Sequence, residues 1–111
     1  MKYGLSLSVI QKIHVVLSRY PQVQKATLYG SRAKGNYRNG SDIDLTLYGN
    51  GLSLNLIYKI LSDLDDLLLP YTIDLSIFDE IRDADVIAHI RRVGVTFYEK
   101  NEERVPELAG L

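Results

Sequence analysis

The chain contains no cysteine, which excludes disulfide bridges and thiolate metal sites and makes a cytoplasmic setting the expected one. It also has almost no net charge, since 13 Lys and Arg stand against 14 Asp and Glu for a formal −1. No global basic field draws such a protein to nucleic acid or anionic lipid, so no direct nucleic-acid binding is expected. Long apolar runs are missing too. The apolar residues that follow Met1-Lys2-Tyr3-Gly4 are soon broken by Gln11, Lys12 and His14. That stretch is too short and too polar for a membrane span, and no small-residue cleavage site follows it. Repeats and low-complexity segments are absent. What remains is ordinary: 111 residues, 46% hydrophobic and 24% charged, the composition of one globular domain with no room for a second core. Residues 1–98 read as that domain. Residues 99–111, polar and carrying Pro106 and Gly110, read as a loosely held tail.

Val9, Ile10, Ile13, Val16, Leu17 and Tyr20 recur at helical spacing and predict a first amphipathic helix. Ser8 with Gln11 fits a capping box, and Ser6 is the alternative cap. Pro21 ends the helix by disfavouring a helical Tyr20. A strand over residues 23–29 follows, then a glycine-rich segment to Gly40, then a strand over 42–48. A second helix is expected over 53–69, with Leu54, Ile57, Leu61, Leu64 and Leu68 as its apolar stripe and Pro70 as its stop. A third strand spans 71–78. Asp83 would cap a third helix bearing Val86, Ile87, Ile90 and Val93, with Gly94 as C-terminal cap, and residues 95–98 make a last strand. The fold class is therefore α/β (α+β), a small mixed β-sheet with helices packed on one face.

Side chains two apart on a strand share a face. Asp42, Asp44 and Thr46 thus oppose Ile43, Leu45 and Leu47, and Thr72, Asp74 and Ser76 oppose Ile73, Leu75 and Ile77. If the aliphatic faces lie under the helices, Asp42, Asp44 and Asp74 emerge together on the uncovered face. Beside them comes Gly30-Ser31, directly after a strand. Gly30 permits a sharp turn and close approach of a ligand, and a helical turn starting at Ser31 would aim free N–H groups at phosphate. From Lys25 to Ser41 there are four basic residues and no acidic one. Arg32 and Lys34, nearest the turn, are the candidates for phosphate contact; Lys25 and Arg38 are left as surface charges.

Two carboxylates at i and i+2 repel one another unless a cation sits between them. Oxygen donors without histidine or cysteine select magnesium, or manganese, over zinc. Two such ions can clamp the attacking and leaving oxygens of a displacement at phosphorus. Asp42 and Asp44 would bridge them, and Asp74 would complete the second site and take a proton from the incoming hydroxyl.

Gly30-Ser31, ten intervening residues, then Asp42-Ile43-Asp44 resembles the signature of the nucleotidyltransferase superfamily related to DNA polymerase beta. The short chain is similar to its minimal nucleotidyltransferase (MNT) branch over residues 5–98, including the third aspartate in Ile73-Asp74-Leu75. The resemblance implies transfer of a nucleoside monophosphate, AMP from ATP, to a hydroxyl, with release of pyrophosphate and with two Mg2+ ions as cofactors. It further implies a small helical HEPN protein as partner. In that setting the MNT protein is the antitoxin and adds AMP to a tyrosine of the toxin.

Each piece has a plainer reading. A Gly-Ser turn is a common loop, and Asp-x-Asp on a strand is often a solvated face; their joint spacing, with Asp74 on a separate aliphatic strand, carries the argument. His14 and His89 lack metal-ligand spacing and read as structural or surface residues. The tyrosines read as packing residues, with Tyr29 singled out because it adjoins the turn. Two competing functions stand beside the enzyme: a module that neutralises its partner by occlusion alone, and an enzyme acting on a small molecule of the aminoglycoside type. The latter would need an acceptor pocket that this chain could form only at the interface of a homo-oligomer.

Overall fold

The computed structural model describes residues 1–100. Helix α1 (Leu7–Ser18) is followed by β1 (Val23–Tyr29), the short helix α2 (Gly30–Lys34), β2 (Ile43–Gly49), α3 (Leu54–Asp65), β3 (Ile73–Ile77), a single 3-10 turn (Phe78–Glu80), α4 (Ala84–Val93) and β4 (Val95–Glu99). The four strands form one sheet in the order β3-β2-β1-β4. β1 is antiparallel to β2 and to β4, and β2 runs parallel to β3. The expected mixed sheet is what forms, with α1 and α3 packed on its aliphatic face. Of the tail expected over 99–111, Glu99 belongs to β4 and the Lys100 N–H donates to the Gln24 carbonyl; residues 101–111 lie outside the described residues.

Ile43, Leu45 and Leu47 are fully buried, and Leu28, Ala26, Leu75 and Ile77 join them. Against this aliphatic side pack Ile13, Val16 and Leu17 of α1 and Ile57, Ile60 and Leu64 of α3. Ser6, not Ser8, caps α1: its hydroxyl accepts the Val9 N–H, satisfying a donor that the helix leaves open. Ser53 does the same for α3 through the Leu56 N–H.

Helix α3 departs from expectation in both length and stripe. It stops at Asp65, four residues short of the predicted end, and its buried positions are Leu56, Ile57, Ile60 and Leu64. Leu54 and Leu68 are 59% and 88% exposed. Asp63, Asp65 and Asp66 crowd the C-terminal end, where the helix dipole disfavours negative charge, and Leu68 turns the chain with φ +55°. Pro70 therefore follows an ending already made. Strand β3 is likewise shorter than 71–78, since Phe78 opens the 3-10 turn.

Helix α4 is capped by Asp83, whose carboxylate accepts the Asp85 and Val86 N–H groups. Gly94 ends it as expected, but with φ −62° rather than in the left-handed conformation. Glycine is needed there for room: a Cβ would run into the Ile90 carbonyl oxygen and the Thr27 methyl. Thr27 pairs with Thr46 on the face opposite the aliphatic core. The C-terminal end of α4 thus closes over the rim of the face that carries the aspartates.

Candidate active site

Asp44 is the centre of the arrangement. In β2 it lies opposite Tyr29 of antiparallel β1 and opposite Asp74 of parallel β3. Neighbouring strands lie about 4.8 Å apart, so the Asp44 and Asp74 backbones are as close as sheet geometry permits. Asp42 precedes the first residue of β2 by one position and is exposed, Asp44 is half-buried, and Asp74 is exposed. None of the three has an ion-pair partner among the described residues.

The charge is concentrated, and Asp44 registers it. Burial first, then the negative charges of Asp74 and Asp42, push its carboxyl above the usual carboxylate range, with His89 in weak opposition. Tyr29 is pushed up as well, chiefly by burial and further by Asp74 and Asp44, against the pull of the neighbouring Ser76 hydroxyl. Both shifts have the same origin: negative charge gathered where water is thinning.

Gly30 joins β1 to α2 with φ +75°, a conformation that glycine adopts freely and other residues resist. A Cβ at this position would overlap Asp44 Oδ2. The turn that opens α2 is therefore pressed directly against the central carboxylate. Ser31 is the next residue, half-buried, at the first turn of the helix.

The two basic candidates part company here. Lys34 is exposed on the last turn of α2, free to swing toward an anion. Arg32 is only 2% exposed. Its Nε and one terminal nitrogen donate to the Ser41 carbonyl at 3.0 and 2.8 Å, and the other donates to the Tyr3 carbonyl at 2.8 Å. The guanidinium also lies over the rings of Tyr37 and Tyr71. The expected phosphate contact of Arg32 is thus corrected to a clamp. It ties the loop leading to Asp42 back onto the N-terminal turn, and has no surface left for a ligand. Arg32→Ala should cost roughly 2–3 kcal/mol, seen as a melting temperature lower by about 10 °C or more, because two carbonyls lose their charged donor.

His14 behaves as expected: its Nε2 lies 2.6 Å from the Phe97 carbonyl and its ring packs on Phe97 and Tyr98. His89 does not. Its Nε2 accepts the Gly30 N–H at 3.1 Å, and its ring stands edge-on to Tyr29 at 6.2 Å. Metal-ligand spacing carries no sign of this contact, which is made across 59 residues.

The donor set suits a hard divalent cation. It is all carboxylate oxygen, its charge is unneutralised by any cation among the described residues, and the nearby His89 imidazole nitrogen is occupied by Gly30. Among the described residues no three acidic or histidine side chains close into a preformed cage; like charges hold apart, and phosphate oxygens would have to complete any coordination shell. No helix among the described residues is long and apolar enough to cross a membrane.

Comparison with known proteins agrees with this chemistry. A chain from a crystal structure of a toxin-antitoxin with AMP-PNP superposes with a TM-score of 0.67 at 20% identity, covering 85% of this chain and 76% of that one. A chain of the MntA-HepT toxin-antitoxin gives 0.63 at 17% identity, with 88% and 76% covered. A third, from tri-AMPylated Shewanella oneidensis HEPN toxin in complex with MNT antitoxin, gives 0.62 at 18%, with 91% and 76% covered. At such identities the likeness is one of fold. No curated protein sequence matches the chain. The family model described as polymerase beta, nucleotidyltransferase matches residues 11–103, a span that includes the turn at Gly30 and both aspartate-bearing strands. The chain accordingly belongs to the polymerase beta nucleotidyltransferase family, and its chemistry is nucleotidyl transfer.

Proposed function

We propose that the protein is a magnesium-dependent adenylyltransferase that moves AMP from ATP onto a tyrosine hydroxyl of a HEPN partner, acting in the cytoplasm as its antitoxin. The observation that carries this reading is the register of β2 and β3, which sets Asp74 beside Asp44 at the turn occupied by Gly30 and Ser31. The fold neighbours that contain a HEPN toxin, one of them AMPylated, support the choice of partner.

In this reading the Ser31 hydroxyl and the backbone N–H groups from Ser31 onward receive the terminal phosphates, the Gly30 N–H being held by His89, with Lys34 as a mobile counter-charge. Asp42, Asp44 and Asp74 are the residues that would hold magnesium, which supplies charge neutralisation at the α-phosphoryl group when bound. The acceptor oxygen forms a bond to the α-phosphorus as the bond to the bridging oxygen breaks. Pyrophosphate leaves with that electron pair. Asp74, exposed and next to the attack point, takes the acceptor's proton and passes it to water. The acceptor in this reading is carried by the partner protein, as the HEPN-containing fold neighbours suggest.

The test mixes the protein, α-phosphate-labelled ATP and magnesium with the product of the adjacent reading frame. Label should appear on that product and vanish with Asp42→Ala. Ser31→Ala should weaken ATP binding about tenfold by calorimetry while leaving the melting temperature nearly unchanged. Neutralisation of the partner that persists in Asp42→Ala without label transfer would replace the enzymatic reading by occlusion.

A further inference from the structure

The hydrogen bond from the Gly30 N–H to His89 Nε2, 3.1 Å long, joins the first residue of α2 to the middle of α4. The Nε2 lone pair faces the Gly30 N–H and accepts it. The bond falls on the residue whose geometry matters most: Gly30 has φ +75° and packs against Asp44 Oδ2. The platform that carries His89 is itself anchored. Asp83 caps α4, Ile90 is buried one position away, and Gly94 seats the helix end against Thr27. Edge-on contact with Tyr29 fixes the ring from the side of β1.

We propose that His89 is a positioning residue of the transfer site: by holding the Gly30 N–H, it keeps the Gly30–Ser31 turn in its ligand-ready shape before nucleotide arrives. The proposal rests on the nucleotidyl-transfer reading and adds α4 to the machinery. Glycine is the residue with most backbone freedom to lose. A turn already pinned spares the nucleotide that ordering cost, which appears as affinity. His89 touches no reacting atom; it acts through Gly30, and its effect belongs in nucleotide binding rather than in the chemical step.

Two variants and two readouts test this. In His89→Ala the Gly30 amide should exchange its hydrogen about tenfold faster in the nucleotide-free protein. KM for ATP should rise about 3- to 10-fold with kcat nearly unchanged, the size expected for one hydrogen bond. His89→Gln, whose amide oxygen can accept the same N–H, should recover most of both effects, while the melting temperatures of the two variants stay close together. Faster Gly30 exchange with unchanged KM would overturn the positioning role. So would a His89→Gln variant as weak as His89→Ala, which would point to packing instead. If wild-type protein neither binds ATP nor transfers label, the transfer reading fails, and the Gly30 exchange rates still decide whether His89 holds the turn.

Discussion

Asp44→Asn should abolish transfer, by roughly a thousandfold or more, and yet melt higher than the wild-type protein at neutral pH. The sign follows from the raised carboxyl of Asp44. A folded-state value above the unfolded one means the native protein binds this proton more tightly than the unfolded chain does. The stability contributed by this group is complete below the unfolded carboxylate value and is lost as pH rises through the higher folded one. At neutral pH the ionised Asp44 therefore works against folding, with Asp74 and Asp42 repelling it. Asparagine keeps the shape and removes the charge. A gain of about 2–4 °C at pH 7 is expected, shrinking as the pH falls below the carboxylate range. Differential scanning calorimetry across pH, beside the label-transfer assay, reads both effects. Magnesium with ATP should raise the wild-type melting temperature and leave that of the variant unmoved. An Asp44→Asn protein that still transfers label, or that melts lower at every pH, would remove Asp44 from the centre of the site.

Gly30→Ala should damage both folding and function. The added methyl faces a φ of +75° and an overlap with Asp44 Oδ2. Backbone strain costs alanine about 1 kcal/mol in this region, and relief of the overlap must push either the turn or the carboxylate. A total loss of roughly 2–3 kcal/mol is expected, with transfer reduced at least about a hundredfold because misplacement of a reacting group by about 1 Å is that costly. Gly35→Ala is the matched control. Its φ is +93°, but a Cβ there meets nothing within 4 Å. It should lose stability through backbone strain while retaining most activity. Equal losses of activity at both positions would mean that strain alone, and not the contact with Asp44, explains the Gly30 effect.

The parts of the site that were legible in advance are those encoded within a few residues. The alternation of Asp42, Asp44 and Thr46 with Ile43, Leu45 and Leu47 separates a wet face from a dry one, and the burial of all three aliphatic residues follows it. Likewise Asp83 caps α4 through contacts two or three residues long. Where local signals competed, the outcome was less readable. Ser6 and Ser8 both suit a cap, and only the burial of Ile10, Ile13 and Leu17 against the sheet chooses the phase of α1. In α3 a leucine-rich pattern suggested a stripe through Leu54 and Leu68, while the acidic C-terminal end shortened the helix and the sheet selected Leu56 and Ile60 instead.

Arg32 and His89 both find partners that their neighbourhoods along the chain do not announce. A basic residue beside a glycine turn resembles a phosphate ligand, and a lone histidine on a helix resembles packing. Both readings used only what lies nearby along the chain. Arg32 finds Tyr3 and Ser41, and His89 finds Gly30; these partners become neighbours only when the N-terminal turn and α4 pack against α2.

By itself the order of residues determined the strands, their faces, the glycine turn and the identity of three carboxylates, because side-chain alternation and helix caps act over one or two turns of chain. Tertiary structure alone decided that Asp74 pairs in register with Asp44, that Arg32 is walled in, and that His89 reaches the turn. Register and docking depend on how distant aliphatic surfaces are hidden from water together, a property of the whole packed core that no short stretch of sequence contains.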